Sequence, residues 1–306
     1  MRWRLPNRAV TTMAIACVAL LVNGCQATAG GSPPTAENTP QAPVSAQEAP
    51  LPDAPPGPAK AALDGLDARV RQATADAAKS GANIETVVLD RDTGQIVSNG
   101  VNKPFPIASV VKLFIADDLL LQVSKGETQL SAADRASLDV MLRSSDDSAA
   151  QNFWDRSGGN AVIARVKARY GLPGTTAPSN SHWDVTTSTA SDLVRYYSML
   201  LDGSGGLPPE QANVIIGDLA QSTPTGTDGY PQRFGIPEGL YAEPVAVKQG
   251  WFCCWSGANQ LHVSTGIIGP EHRYVMAISS LDPTSAAAAR TNMTQAVKTM
   301  FPGGRI

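Results

Sequence analysis

The stretch running from Phe105 to Leu121 constrains this chain most. Val110, Val111, Leu113, Phe114, Ile115, Leu119, Leu120 and Leu121 are apolar almost all round a helical wheel. A helix of that kind has to be buried, so the segment predicts the central rod of a core. Ser109 and Lys112 stand at its start, three residues apart, which puts both side chains on one helical face. A hydroxyl and an amine are thus carried into the core together. Burial disfavours the charged ammonium and lowers a lysine's pKa. A lysine able to shed its proton can act as base toward a serine. The pair also has a plainer structural reading, with Ser109 as a helix N-cap and Lys112 lying along the helix. Ser-x-x-Lys alone is a weak motif, and the remaining chain has to decide between the two.

The 306 residues suffice for one large domain or two small ones, and a formal net charge of -3 gives no reason to expect nucleic-acid binding. His182, His262 and His272 are isolated from one another and from any cysteine at metal-ligand spacing. Neither a metal nor another cofactor is expected.

Arg2, Arg4 and Arg8 precede an apolar run from Ala9 to Val22. The run is too short to span a bilayer and suits the hydrophobic region of a signal peptide. It ends Leu21-Val22-Asn23-Gly24-Cys25, which resembles a bacterial lipobox, in which the cysteine is lipidated and becomes the mature N-terminus. That resemblance implies Cys25 as the lipidation site and anchorage to the outer face of the cell membrane. An ordinary secretory signal with an incidental cysteine is the alternative, and both readings export the chain. Residues 25–60 are rich in Pro, Ala, Ser and Gly and poor in large apolar residues, a composition that reads as a disordered tether. The expected divisions are therefore a signal peptide over 1–24, a tether over 25–60 and a folded domain over 61–306.

Within that domain, Leu63, Leu66 and Val70 predict a helix over 61–80 that Gly81 stops. Strands are predicted over 84–89 and 95–98, about the turn Asp92-Thr93-Gly94. Helices follow over 131–142, 146–156, 160–170, 189–201 and 208–220. Strands return over 245–248, 262–268 and 274–279, before a last helix over 284–300. The fold class expected is α+β: an antiparallel sheet with flanking helices, built from 61–108 and 240–306, plus an all-helical lobe over 109–239. A groove between the lobes is where a ligand site is expected.

Three segments then read together. Ser109-Val110-Val111-Lys112, Ser145-Asp146-Asp147 and Lys248-Gln249-Gly250 resemble, in order, the S-x-x-K, S-D-N and K-T-G motifs of the class A serine β-lactamases and their penicillin-binding relatives. The resemblance runs from about Ala61 to the C-terminus. Val88 to Ser109 reads like that family's strand pair leading to the nucleophile, and Gly266 to Ile278 like its closing hairpin. It implies Ser109 as acylated nucleophile, Lys112 as its base and Ser145 as the donor of a proton to the leaving nitrogen. Lys248 would polarise Ser145 and offer positive charge to a substrate carboxylate. The backbone N–H groups of Ser109 and Trp251 would form the oxyanion hole. Asp147, Gln249, Gly250, Trp251 and Arg233 are the implied substrate contacts, and the implied ligand is a β-lactam or a peptidoglycan peptide.

The motifs also depart from the family pattern. Asp147 replaces an asparagine whose amide can donate, whereas an ionised carboxylate only accepts. Its charge near Lys112 raises the lysine's pKa and makes it a poorer base. Gln249 replaces a hydroxyl residue. No glutamate occurs between Asp146 and Pro209, where the class A enzymes carry the base for deacylation. Asp184 is either a substitute or an incidental surface aspartate. Trp251, Phe252 and Trp255 either line the groove, plug it or form a packed edge. Cys253 and Cys254 sit in a chain bound for an oxidising compartment. Adjacent cysteines close only a strained ring, so pairing between chains or two reduced thiols is expected. Two functions follow: a lipid-anchored serine hydrolase with weak or absent β-lactam turnover, or a degenerate binding or scaffold lipoprotein of the envelope.

Overall fold

In the computed structural model, residues 63–306 are described. The expected signal peptide, Cys25 and the tether lie outside them. The chain order is α1 (Leu66–Lys79), β1 (Asn83–Asp90), β2 (Ile96–Ser98), β3 (Phe105–Pro106), a 3-10 turn (Ala108–Val111), α2 (Lys112–Ser124), α3 (Ala132–Arg143), α4 (Asp147–Arg156) and α5 (Ala161–Tyr170). A second 3-10 turn (Trp183–Val185) precedes β4 (Thr187–Ser188), α6 (Ala190–Asp202), α7 (Pro209–Ala220) and α8 (Ile236–Gly239). The chain then closes with β5 (Val245–Trp255), β6 (Asn259–Ile268), β7 (Tyr274–Asp282) and α9 (Ala286–Met300).

Five strands form one antiparallel sheet in the order β2-β1-β7-β6-β5. Strands from early and late in the described residues therefore meet in it. The strand period of two sends alternate side chains to opposite faces. Val87, Ala246, Val263 and Ala277 join the core shared with α2 to α7, whereas Val88, Val247, Met276 and Ile278 join the core beneath α1, α8 and α9. The rod expected around Leu113 is α2, with Lys112 to Leu121 buried. The architecture is the expected α+β arrangement of a sheet with flanking helices and a helical lobe.

Three features differ from the expectation. The late strand does not end near Lys248 but continues to Trp255, since Gly250 passes through the sheet as an extended residue rather than breaking it. A small second sheet pairs Phe105 with Ser188 and Pro106 with Thr187, two-residue strands too short for a periodic signal. Cys253 and Cys254 are joined to each other through their sulfurs, in place of free thiols or a bond between chains.

The rod also carries two carboxylates that its apolar pattern hides. Asp118 is held by both arms of Arg165, at 2.7 Å each. Asp117 is fully buried and bonded by Arg169 and the Tyr170 hydroxyl. Arg165 and Arg169 are four apart on α5, so one face of that helix matches both acids. Burial pushes the Asp117 carboxyl up, and the Arg169 guanidinium and Tyr170 hydroxyl pull it back. Removing one partner of a buried pair is far costlier than removing both. Arg169→Ala is expected to lower stability by about 3 kcal/mol, read from urea unfolding at neutral pH. A loss below about 1 kcal/mol, the value of an exposed pair, would show that Asp117 needs no cation.

Candidate functional site

The nucleophile candidate is placed by a sharp reversal of the backbone. Ile107 donates its N–H to the Thr186 carbonyl (2.9 Å) and Val110 donates to Ile107 (3.0 Å). Between them Ala108 takes φ 46°, a left-handed conformation uncommon for a residue with a Cβ. The 3-10 turn that follows lifts Ser109 to the inner end of a groove and delivers Lys112 as the first residue of α2. Ser145, at φ 58°, makes a second such reversal between α3 and α4. Asp146 then caps α4 by accepting from the Ala149 N–H (2.7 Å). Backbone strain of this kind persists where surrounding structure over-determines it, and it gathers at functional sites.

These two reversals converge on the Lys112 amine, which is fully buried. Its Nζ donates to Ser109 Oγ (2.9 Å), the Ser145 carbonyl (2.6 Å), Ser145 Oγ (3.2 Å) and Asp147 Oδ1 (2.5 Å). Burial pulls the ammonium below its usual value, and the Asp147 carboxylate opposes that without reversing it. Lys248, also buried, donates to Ser145 Oγ (2.9 Å) and to the Gln249 carbonyl (3.1 Å). Burial, and next the charge of Lys112, hold its amine well below the usual range. Ser109, Lys112, Ser145 and Lys248 thus form one continuous hydrogen-bonded chain, although they come from three distant segments. Such a chain can take a proton from one hydroxyl and deliver it near another.

A cavity of about 670 Å³ opens in front of Ser109. Asp147, Gln151, His182, Trp183, Asp184, Asp228, Tyr230, Trp251, Phe252 and Gln260 are among its walls. Trp251 lines the groove without plugging it. Its ring stacks on Tyr230 (centroids 4.9 Å apart, planes 9° apart), and its Nε1 donates to Asp228 Oδ2 (3.1 Å). Behind Tyr230 lies His262, whose Nε2 is 2.6 Å from the tyrosine hydroxyl. Burial, reinforced by Arg290, lowers His262 to about 4, so the imidazole is neutral at ordinary pH.

Not every expected contact faces this cavity. Gln249 turns away from it, donating to the carbonyls of Gln232 (3.0 Å) and Phe234 (2.6 Å) on the far side of the strand. The reason is strand parity: Lys248 shares the helical face with Ala246, and Gln249 shares the opposite face with Val247. Arg233 is exposed and lines a separate depression with Thr223, Pro237 and Tyr241. Both are corrected here as substrate contacts. Asp184 does line the groove. Trp183 was not legible as a site residue, yet its ring centroid lies 4.9 Å from Lys112 Nζ and its Nε1 donates to Gln151 (3.1 Å). Asp228 and Tyr230 carried no motif at all. Among the described residues, no group of three or more His, Cys, Asp and Glu side chains is arranged to hold a metal ion.

The comparisons with known proteins agree with the fold. The sequence model of the beta-lactamase enzyme family matches residues 66–135. The fold is also that of a beta-lactamase from Chitinophaga pinensis, with a TM-score of 0.63 at 15% identity over 76% of this chain and 98% of that one. The structure of PBP-A gives 0.63 at 19% identity over 80% and 97%. The fold is therefore that of the class A β-lactamases and penicillin-binding proteins, and residues 66–135 carry the sequence pattern of the beta-lactamase enzyme family. The chain belongs to the same family as LppW of Mycobacterium tuberculosis, a protein named as a lipoprotein, to which it is 61% identical over 255 residues. That match spans 83% of this chain and 81% of LppW, and LppW of Mycobacterium bovis matches equally.

Gly250 offers a direct test of the geometry. A Cβ there would lie 2.6 Å from the Ile107 carbonyl oxygen and 3.3 Å from the Ser109 nitrogen. Gly250→Ala is expected to push β5 off the nucleophile turn while leaving the fold intact. Any labelling of Ser109 by a fluorescent penicillin should fall about 100-fold, the usual cost of a small misplacement at a reacting centre, with unchanged far-UV circular dichroism. An unchanged acylation rate would mean that β5 takes no part in the site.

Proposed function

We propose that this chain is an exported, lipid-anchored serine hydrolase of the β-lactamase-like fold, acylated at Ser109 by β-lactams or cell-wall peptides and slow to release the acyl group. The observation that carries the reading is the 2.9 Å contact between Ser109 Oγ and the buried Lys112 amine at the inner end of an open groove. In this reading Lys112, in its neutral form, takes the Ser109 proton as Oγ attacks the carbonyl carbon. The backbone N–H groups of Ser109 and Trp251 receive the oxyanion. Collapse of the tetrahedral adduct breaks the C–N bond, and the proton reaches the leaving nitrogen through Ser145, which Lys248 holds in place. The lipid anchor at Cys25 is supported by the lipobox and by the name of LppW.

Slow release follows from what surrounds Lys112. Trp183 covers the amine, and no glutamate lines the groove among the described residues. A water at the ester carbonyl would then depend on a groove aspartate such as Asp184 in place of the family's glutamate. A fluorescent penicillin is expected to label the wild type and not Ser109→Ala, and mass spectrometry should find the adduct intact for at least about an hour. Rapid loss of the adduct would overturn slow release, and absence of label at long times would overturn acylation. The second reading, an envelope protein that binds ligand without turning it over, is favoured by the 2.5 Å contact of Asp147 with Lys112. Hydrolysis of a chromogenic cephalosporin that disappears in Ser109→Ala would exclude it.

The Asp147 contact makes a signed prediction of pH dependence. Acylation requires neutral Lys112, so its rate should rise as pH increases through the lysine's pKa. The Asp147 carboxylate raises that pKa. Asp147→Asn removes the charge, so the midpoint of the pH–rate curve is expected to move to lower pH. One unit of such a shift corresponds to about tenfold more neutral lysine below the midpoint. A midpoint that stays put or moves up would show that Lys112 is not the base.

A further inference from the structure

The joined pair Cys253 and Cys254 takes no part in the chemistry proposed for Ser109, and it does not brace the fold either. A disulfide stabilises chiefly by closing a loop in the unfolded chain, and the effect grows with the length of the loop. Two neighbouring residues enclose no loop, so this bond adds almost nothing of that kind. Both cysteines are exposed to solvent. Exposed disulfides are the ones open to exchange with thiols.

The bond acts on the backbone around it. Successive side chains of a regular strand point to opposite faces, so two adjacent sulfurs meet only where that alternation fails. It fails here. Cys253 pairs with Gln260 and Trp255 with Asn259, and the register shifts between them, at Cys254. An irregularity of this kind re-aims the side chains of the strand that carries it. Those side chains belong to the groove: Trp251, Phe252, Cys253 and Gln260 all line the cavity in front of Ser109. The rings of Phe252 and Trp255 meet edge-on, with centroids 6.1 Å apart, on either side of the two cysteines. One exposed bond thus holds the irregular end of β5 that forms part of the groove wall.

We propose that Cys253 and Cys254 form a thiol–disulfide exchange site, that its substrate is a dithiol, and that its state sets the rigidity of this wall. A thiolate of the dithiol attacks one cysteine sulfur, breaks the S–S bond and forms a mixed disulfide. The other cysteine leaves as a thiolate and takes up the proton lost by the attacking thiol. The second thiol of the dithiol then displaces the first cysteine, which is protonated in turn. The protein gains two electrons and two protons, and the dithiol is oxidised to its own disulfide. A monothiol does not suffice, because the neighbouring cysteine thiol reverses its mixed disulfide. Once opened, the end of β5 is free to regain the alternation of a strand. The site is independent of the hydrolase reading.

Full-length wild-type protein, purified without reductant, is treated with millimolar dithiothreitol in the absence of denaturant. It is then alkylated with iodoacetamide and digested for mass spectrometry. The peptide holding Cys253 and Cys254 is expected to carry two carbamidomethyl groups after dithiothreitol and none without it. Amide hydrogen exchange over 251–260 should quicken about fivefold on reduction, the effect of freeing roughly one residue's backbone. The double variant Cys253→Ser, Cys254→Ser should exchange at the faster rate with or without dithiothreitol. Thiols already free without reductant, a pair that stays closed in the folded protein, or opening with unchanged exchange over 251–260 would each overturn the proposal. Penicillin labelling is measured separately, and its failure sinks the hydrolase reading alone.

Discussion

Burying the amine of Lys112 is the constraint on which the remaining structure turns. An ammonium cannot be taken out of water unless its protons find acceptors, and an unpaired one would cost several kcal/mol. Its acceptors come from the Ser109 turn and from the α3–α4 junction. Both places depend on a residue in the left-handed region, Ala108 and Ser145. A local cost in backbone energy at two points is therefore offset by a buried polar network in the middle. The same network joins the helical lobe to the sheet, since Lys248 reaches Ser145 from β5.

Ser145 is the junction of that network, because its hydroxyl oxygen accepts from both lysines. Two ammonium groups this close repel, and burial already works against each. Their titrations are linked, so the pair is best regarded as one unit that holds fewer protons than two free lysines would. Proton deficiency of that kind is what a serine nucleophile needs beside it. Asp147 works in the opposite sense by favouring the charged form of Lys112. The protonation of Lys112 then depends on a competition between desolvation and nearby carboxylates, Asp147 first among them.

Much of this was legible in the residue pattern. The all-round apolar run from Val110 to Leu121 marked α2 as a buried rod, and the strand-forming runs at both ends of the domain marked the sheet. What escaped had physical causes. Asp117 and Asp118 look like a polar interruption until α5 supplies Arg165 and Arg169, a pairing that depends on tertiary contact. Gln249 was read by its place in a motif, although alternation along β5 already directs it away from Lys248. Arg233 was placed by analogy, and no periodicity said which side of its loop would face the groove. Trp183, Asp228 and Tyr230 come from irregular segments, whose course over the surface sequence rules do not fix.

The differences from the family pattern act together. A carboxylate stands where an amide could donate, a tryptophan covers the amine, and the exposed charges of the groove are acidic. Each alters what the site does to a ligand, and none disturbs the buried chain from Ser109 to Lys248. A fold and its functional site can change independently. Here the buried chain from Ser109 to Lys248 stands within the shared fold, while Asp147 and Gln249 depart from the family motifs beside it. On the proposed reading, such a site would form a bond to serine and lack the glutamate that hastens its breaking.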